Sequence, residues 1–366
     1  MCNSSSLYFT PTRDATSAAR SLEQLLRRPA PAMFQGAIRR LHDRSTIYAT
    51  TCPAPLPALG LIVTPEIRCQ SELYLPIAEI TVIFNRLYRL ALTYPPILSS
   101  TPFYHALSWA DVAVALPPRF QFTANPARLL DALLANRALL VEFLIASFLP
   151  RRFYGGLMRY PLQEAFIREW LATLPLSHSH QRRGQKRLRC LDAASGDGAG
   201  SYGVARLLLE LGWAPDRFEI EGWTLEPLEA WAAAHAAFPH DPQREGVFRR
   251  WAEPVFEQEA HTSLTFRTVD LGQALPSQQH PAVRLDFDLI ICNGLLGGPI
   301  VNRPDELRRI VSQLVELLAP GGLLLAADHF HGGWKQQCPQ KELRVLFEMN
   351  GLKIIEAEEG LAAQKS

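Results

Sequence analysis

From Leu188 to the end of the chain, short apolar runs alternate with segments of helical period. That alternation constrains the fold more than any other feature. Strands are predicted at 188–193, 218–224, 264–269, 287–292, 323–327 and 352–355, and helices at 202–211, 228–237, 305–318 and 341–350. Strands separated by helices need crossover connections, and their right-handed preference gives a mostly parallel sheet with helices on both faces. The predicted class is α/β, and ligands of such sheets bind beyond the carboxyl ends of the strands.

The first half reads differently. Residues 1–70 are predicted to be an irregular, proline-rich segment, because Cys52-Pro53-Ala54-Pro55-Leu56-Pro57 breaks helices and central strands alike. Apolar residues then recur at helical spacing from Glu72 to Ala91 and from Asn125 to Leu149, the second run opening on Asn125 as N-cap and Pro126 at the first helical position. A mostly helical N-terminal domain is expected over 71–176, a basic linker over 177–187, and the sheet domain over 188–366.

The linker, from His178-Ser179-His180 to Lys186-Arg187, reads either as a phosphate or nucleic-acid patch or as a solvated connector. Lysine plus arginine number 37 against 36 aspartates plus glutamates, so there is no basic excess. The connector is favoured and no nucleic-acid partner is expected. His178 and His180 have no third ligand nearby in sequence, so no metal site is expected. A hydrophobic fraction of 48% with 20% charged residues excludes wholesale disorder. The most apolar window, Ala138 to Leu149, contains Glu142 and falls short of the ~20 residues of a membrane span, so no membrane insertion is expected. Met1-Cys2-Asn3-Ser4-Ser5-Ser6 lacks the basic start of a secretory signal, and the six cysteines are scattered without a C-x-x-C pair. A reducing, cytoplasmic setting is expected.

The most informative segment is Leu191-Asp192-Ala193-Ala194-Ser195-Gly196-Asp197-Gly198-Ala199-Gly200. A strand runs into small residues and glycines, which open a helix whose first N–H groups are free. Such a turn cradles a nucleotide-like cofactor. Gly198 to Gly203 literally matches the dinucleotide fingerprint G-x-G-x-x-G, but Gly198 lies five residues beyond Ala193 and Asp192 ends the strand.

The pattern Asp-x-Ala-x-Gly-x-Gly instead resembles motif I of the class I S-adenosylmethionine (SAM)-dependent methyltransferases, with Ala194 in place of the first glycine. The resemblance implies SAM as cofactor and a Rossmann-like sheet, with Asp192, Ala194, Gly196 and Gly198 lining the cofactor. The family usually has an acid for the ribose at the position of Thr224. Glu226, two residues on, either takes over that role or is a helix N-terminal acid favoured by the dipole. Thr268-Val269-Asp270-Leu271 resembles the family's adenine-contacting segment, which implicates Asp270 and Leu271. Phe287 to Gly294 resembles motif IV, which sets Asn293 nearest the methyl group as a positioner. Leu318-Ala319-Pro320-Gly321-Gly322 looks like the family's turn into strand five. The fold usually closes with an antiparallel last strand. This chain ends soon after Ile355, so that strand is expected to be short or absent.

Within the family, one branch fits better than most: the sequence resembles the chemoreceptor glutamate methyltransferases (the CheR type). Their motif I aligns without a gap with Ala193–Ala205, and their strand four resembles Phe287–Asn293, which is one residue shorter. Ser147-Phe148-Leu149-Pro150-Arg151 resembles the segment whose arginine contacts the cofactor. Arg151 (or Arg152) is therefore a candidate, its other reading being a surface arginine at a helix end. Both glutamates that follow motif I in that type are replaced, by Ala199 and Gly200, and the likeness spans roughly residues 143 to 330.

The implied activity is methyl transfer to an unidentified acceptor, a protein or a small molecule, with a protein carboxylate as the CheR-like case. A carboxylate nucleophile needs no general base, whereas a hydroxyl or amine generally does. Asp328, His329 and His331 read as a base, as substrate contacts, or as polar loop residues; His329 is the catalytic candidate. Two other readings stay open: an NAD-dependent oxidoreductase, and a degenerate methyltransferase fold that serves as a binding or scaffold module.

Overall fold

The computed structural model describes residues 7–52, 60–121, 124–149, 157, 159–174, 187–273, 286–298, 301–328 and 339–366. The chain divides into two compact units, one of residues 15–151 with 238–243, the other of residues 1–14, 152–237 and 244–366.

The first unit is helical: α1 (Ala15–Leu25), α2 (Gln35–Thr51), α3 (Pro65–Tyr74), α4 (Ile77–Ala91), α5 (Trp109–Ala115), α6 (Pro126–Ala135) and α7 (Arg137–Phe148). The stretch expected to be irregular therefore holds two helices and the start of a third. The proline run that motivated the expectation is short, and Ala, Leu, Arg and Gln on either side of it are good helix formers. Each of the two long helical runs is also broken in two. Pro76 precedes α4 without a cap hydrogen bond. Asn136 ends α6 and caps α7, its Oδ1 accepting from the Leu139 N–H at 3.1 Å. The Asn125 cap forms as the sequence indicates, accepting from the Ala127 N–H at 2.8 Å ahead of Pro126. The core is aromatic: Phe84 stacks on Phe103 at 4.6 Å, and Tyr88 donates its hydroxyl to Ser147 Oγ at 2.9 Å.

The second unit is built on one sheet with strands β1 (Tyr8–Phe9), β2 (Leu188–Asp192), β3 (Phe218–Thr224), β4 (Leu264–Thr268), β5 (Phe287–Ile291), β6 (Leu318–Ala326), β7 (Leu352–Ile355) and β8 (Leu361–Lys365). Its helices are α8 (Pro161–Thr173), α9 (Ala199–Glu210), α10 (Pro227–His235), α11 (Pro242–Glu257), α12 (Pro304–Leu317) and α13 (Gln340–Met349). The strand order is β1-β4-β3-β2-β5-β6-β8-β7. Strands β2 to β6 pair in parallel; β8 is antiparallel to both β6 and β7, and β1 to β4.

Two features depart from the sequence reading. The antiparallel last strand is present, running through all of Leu361–Lys365 between β6 and β7. Ala, Gln and Lys disfavour strands by themselves, so this one depends on its two neighbours. The Pro320-Gly321-Gly322 segment lies inside β6 as a bulge, where the pairing with β5 slips between Phe287 and Leu289. Gly321 has φ 76°, and a Cβ on Gly322 would stand 2.9 Å from the Ala319 carbonyl oxygen. Among the described residues no helix is long and apolar enough to cross a membrane, and Cys52, Cys69, Cys190 and Cys292 are free thiols.

Candidate functional site

The turn after β2 hangs between its two neighbouring strands. The Ala193 N–H donates to the Ile291 carbonyl at 2.7 Å, and the Ser195 N–H to the Trp223 carbonyl at 2.9 Å. Gly196 (φ 49°) and Gly198 (φ 85°) reverse the chain in the left-handed region that only glycine adopts cheaply. Gly198 then caps α9 and is packed from behind: a Cβ there would lie 2.9 Å from the Ala233 Cβ and 3.0 Å from the Phe266 ring. Asp197 accepts from the Ala199 N–H at 3.2 Å and forms an ion pair with Arg244.

Asp192, at the end of β2, is 5% exposed and accepts a hydrogen bond from the Ser201 hydroxyl at 2.9 Å. Burial pushes its carboxyl up to about 6; the Ser201 hydroxyl pulls it down, nearby Asp197 pushes it further up, and Arg159 pulls it down. The first turn of α9 makes room for it. A Cβ on Gly200 would stand 2.5 Å from Asp192 Oδ2. Beside this carboxylate lies a cavity of about 100 Å³, lined by Asp192, Ala194 and Asn293 from the strand ends and by Arg159, Gln163 and Glu164 from α8 and the residues before it. Burial also raises the Glu164 carboxyl, with Glu210 adding to the effect. The Cys190 and Cys292 thiols are pushed up by burial, so neither supplies a thiolate nucleophile.

The cavity thus brings together three of the residues singled out in the sequence, Asp192, Ala194 and Asn293. Gly196 and Gly198 shape the turn behind it. The remaining candidates lie elsewhere. Thr224 ends β3 and donates its hydroxyl to Glu229 Oε2 at 2.5 Å. Glu226 caps α10, its Oε1 accepting from the Leu228 N–H at 3.3 Å, which corresponds to the second of its two readings. Asp270 is exposed and accepts from the Gly272 N–H at 2.7 Å, an Asx turn. Leu271 belongs to the apolar core with Trp223 and Val269. Arg151, Arg152, His178, His180, His329 and His331 lie outside the described residues.

Sequence reasoning did not find Arg159, Gln163, Glu164 or Glu229. Pro161 at the first position of α8 marks that helix, but nothing in its own sequence ties it to a strand end more than 25 residues away. With Glu226 in a cap, its replacement by Ala should lower stability by about 1 kcal/mol, the usual cost of a lost N-cap. A denaturant titration that shows no loss would remove that role.

No family model matches this chain, and no curated protein does. Solved structures align with it at low identity. A carbon methyltransferase, DszA, is 13% identical over 98% of this chain and 99% of that one, with a TM-score of 0.40. A protein from Methanococcus maripaludis, assigned as a SAM-dependent methyltransferase, is 14% identical over 57% of this chain and 84% of that one, with a TM-score of 0.33. The [4+2]-cyclase SpnF is 20% identical, with a TM-score of 0.31; the alignment spans 47% of this chain and only 54% of SpnF. At these scores each is a remote similarity. The function of this chain has to be read from its own strand order and its own site.

Proposed function

We propose that this chain is a SAM-dependent methyltransferase of the class I type. The strand order supports this most. Numbering β2 to β8 as one to seven, the sheet runs 3-2-1-4-5-7-6 with the seventh strand antiparallel. The resemblance carries that expectation of an antiparallel closing strand, whereas the dinucleotide-binding sheet is ordered 3-2-1-4-5-6.

The site favours the same choice. In the dinucleotide fingerprint the second glycine lets a pyrophosphate approach the backbone. Here the space over Gly200 is taken by the Asp192 carboxylate, and a second anion at that place would be repelled. A buried carboxyl with a raised pKa is instead stabilised by a cation. Arg159 lines the same cavity and suits a carboxylate. The pair fits the zwitterionic amino-acid end of SAM, with Asp192 holding the ammonium and Arg159 the carboxylate. Thr224 at the end of the neighbouring strand and Glu229 in the first turn of α10 offer oxygens for ribose hydroxyls.

When bound, SAM supplies a methyl group on a sulfonium, transferred by in-line displacement. The protein's part is to orient and to exclude water. Asp192 and the two left-handed glycines fix the donor end beside β2. Asn293, projecting from the end of β5 into the cavity, orients what lies opposite. The narrower CheR-like reading, with a carboxylate acceptor, rests on the motif alignment and would need no general base among these residues.

Calorimetric titration with S-adenosylhomocysteine, SAM and NADH in parallel tests the proposal. Micromolar affinity is expected for the first two and none for NADH. Arg159→Ala should weaken S-adenosylhomocysteine by roughly tenfold, the worth of one charge-assisted hydrogen bond. Binding of NADH alone would overturn the reading.

A further inference from the structure

Asn293 does not project into the cavity alone. Its Nδ2 donates to Gln163 Oε1 at 2.7 Å, and Gln163 Nε2 donates back to Asn293 Oδ1 at 3.2 Å. The Ala327 N–H, at the end of β6, donates to the same Asn293 Oδ1 at 2.9 Å. This backbone donor fixes which end of the carboxamide is oxygen. A primary amide can accept two hydrogen bonds and donate two. Both acceptor positions of Asn293 are filled and one donor is used, so among the described residues a single N–H is left. Gln163 is 3% exposed and is itself held in place, since Glu359 accepts from the Leu162 and Gln163 N–H groups at 2.9 and 3.1 Å.

We propose that Gln163 is a positioning residue that locks Asn293 as a hydrogen-bond donor, so that the group Asn293 meets in the cavity is a lone-pair-bearing oxygen rather than an amine N–H. This rests on the methyltransferase reading only for what occupies the cavity; the paired amides themselves do not depend on it. They tie α8 to the ends of β5 and β6 and close one wall of the cavity beside Asp192. The locked amide selects a carboxylate, carbonyl or hydroxyl oxygen at that wall, because an N–H brought there would face a donor and find no acceptor on Asn293.

Gln163→Glu separates this role from plain packing. A neutral carboxyl at 163 still donates and accepts, as the amide does. An ionised one only accepts, and leaves a carboxylate against Asn293 Oδ1, which cannot turn over without abandoning the Ala327 N–H. Among the described residues, the charged groups facing this position are Asp192 and Asp197 from β2 and its turn, Arg159 and Glu164 from α8 and the residues before it, and Glu359 at its head. All are common to both proteins, but an ionised carboxylate at 163 would push the Asp192 and Glu164 carboxyls further up, which adds to the same rise of the ratio with pH; a ligand-free measurement reads the lock apart from it.

S-adenosylhomocysteine is the probe. Its dissociation constant for Gln163→Glu, divided by that of the unaltered protein, is expected to be about ten at pH 8 and to fall toward one at pH 5. A ratio that stays flat across this range overturns the proposal, as does unaltered affinity in Gln163→Leu. A ligand-free measurement distinguishes the two levels. With asparagine-selective ¹⁵N labelling, the Asn293 side-chain amide (the signal lost in Asn293→Ser) should show one proton shifted downfield and slow to exchange, and Gln163→Leu should abolish this. If that signature is present but S-adenosylhomocysteine does not bind, the methyltransferase reading fails and the lock stands. If it is absent, the lock fails whatever the ligand does.

Discussion

Asp192→Asn is expected to move binding and stability in opposite directions. Burial raises the Asp192 carboxyl from 3.8 to about 6, which corresponds to roughly 3 kcal/mol against the ionised form in the folded chain. A group whose pKa is raised on folding adds stability below its unfolded value and loses it as pH rises through its folded value. The unaltered protein therefore carries this load fully at pH 8, about half of it at pH 5, and scarcely any at about pH 3. Asparagine, isosteric and neutral, should raise the unfolding midpoint at pH 8 by several degrees, by about half as much at pH 5, and change it little at about pH 3. The same substitution should weaken S-adenosylhomocysteine by roughly 30-fold or more at pH 8, since it removes the anion that meets the ligand's ammonium. Affinity of the unaltered protein should itself decline below about pH 6, as Asp192 takes up a proton. A variant less stable at pH 8, with binding intact, would mark Asp192 as a structural residue.

The second large effect is Gly198→Val. The backbone there is left-handed, which costs a β-branched residue ~1–3 kcal/mol, and the space behind it is closed by Ala233 and Phe266. Overpacking adds a similar ~1–3 kcal/mol. A total of about 4 kcal/mol would lower the unfolding midpoint by roughly 10 °C in a unit of this size. Gly212→Ala is the control. Gly212 also has positive φ, at 81°, but a Cβ there meets nothing within 4 Å, so only the backbone cost of ~1–2 kcal/mol should appear. Equal effects at the two positions would mean that the turn is not packed against α10 and β4 as described.

How far the sequence discloses this fold depends on where each element gets its stability. Strands β3 and β7 have the bounds their residues indicate, because apolar, β-branched or aromatic runs end at clear breakers. Strand β8 was not visible: Leu361-Ala362-Ala363-Gln364-Lys365 has little strand character, and pairing on both sides makes it one. Helix α11 was hidden for a different reason. It carries Gly246 and Pro254 in its interior, both of which argue against a helix locally, while Phe248, Ala252 and Val255 bury one face. The site divides in the same way. Asp192 and Asn293 follow strands and could be placed by topology alone. Gln163 and Glu164 reach the cavity from a helix outside the strand–helix alternation and Arg159 from the residues just before it, and no spacing rule links them to it.

The most direct test of the cofactor assignment is a crystal structure of the protein grown with S-adenosylhomocysteine. The ligand is expected at the carboxyl ends of β2 and β3, its amino group against Asp192 and its carboxylate against Arg159. Ligand density away from Asp192, or none at saturating concentration while NADH occupies the turn from Gly196 to Gly200, would contradict the assignment.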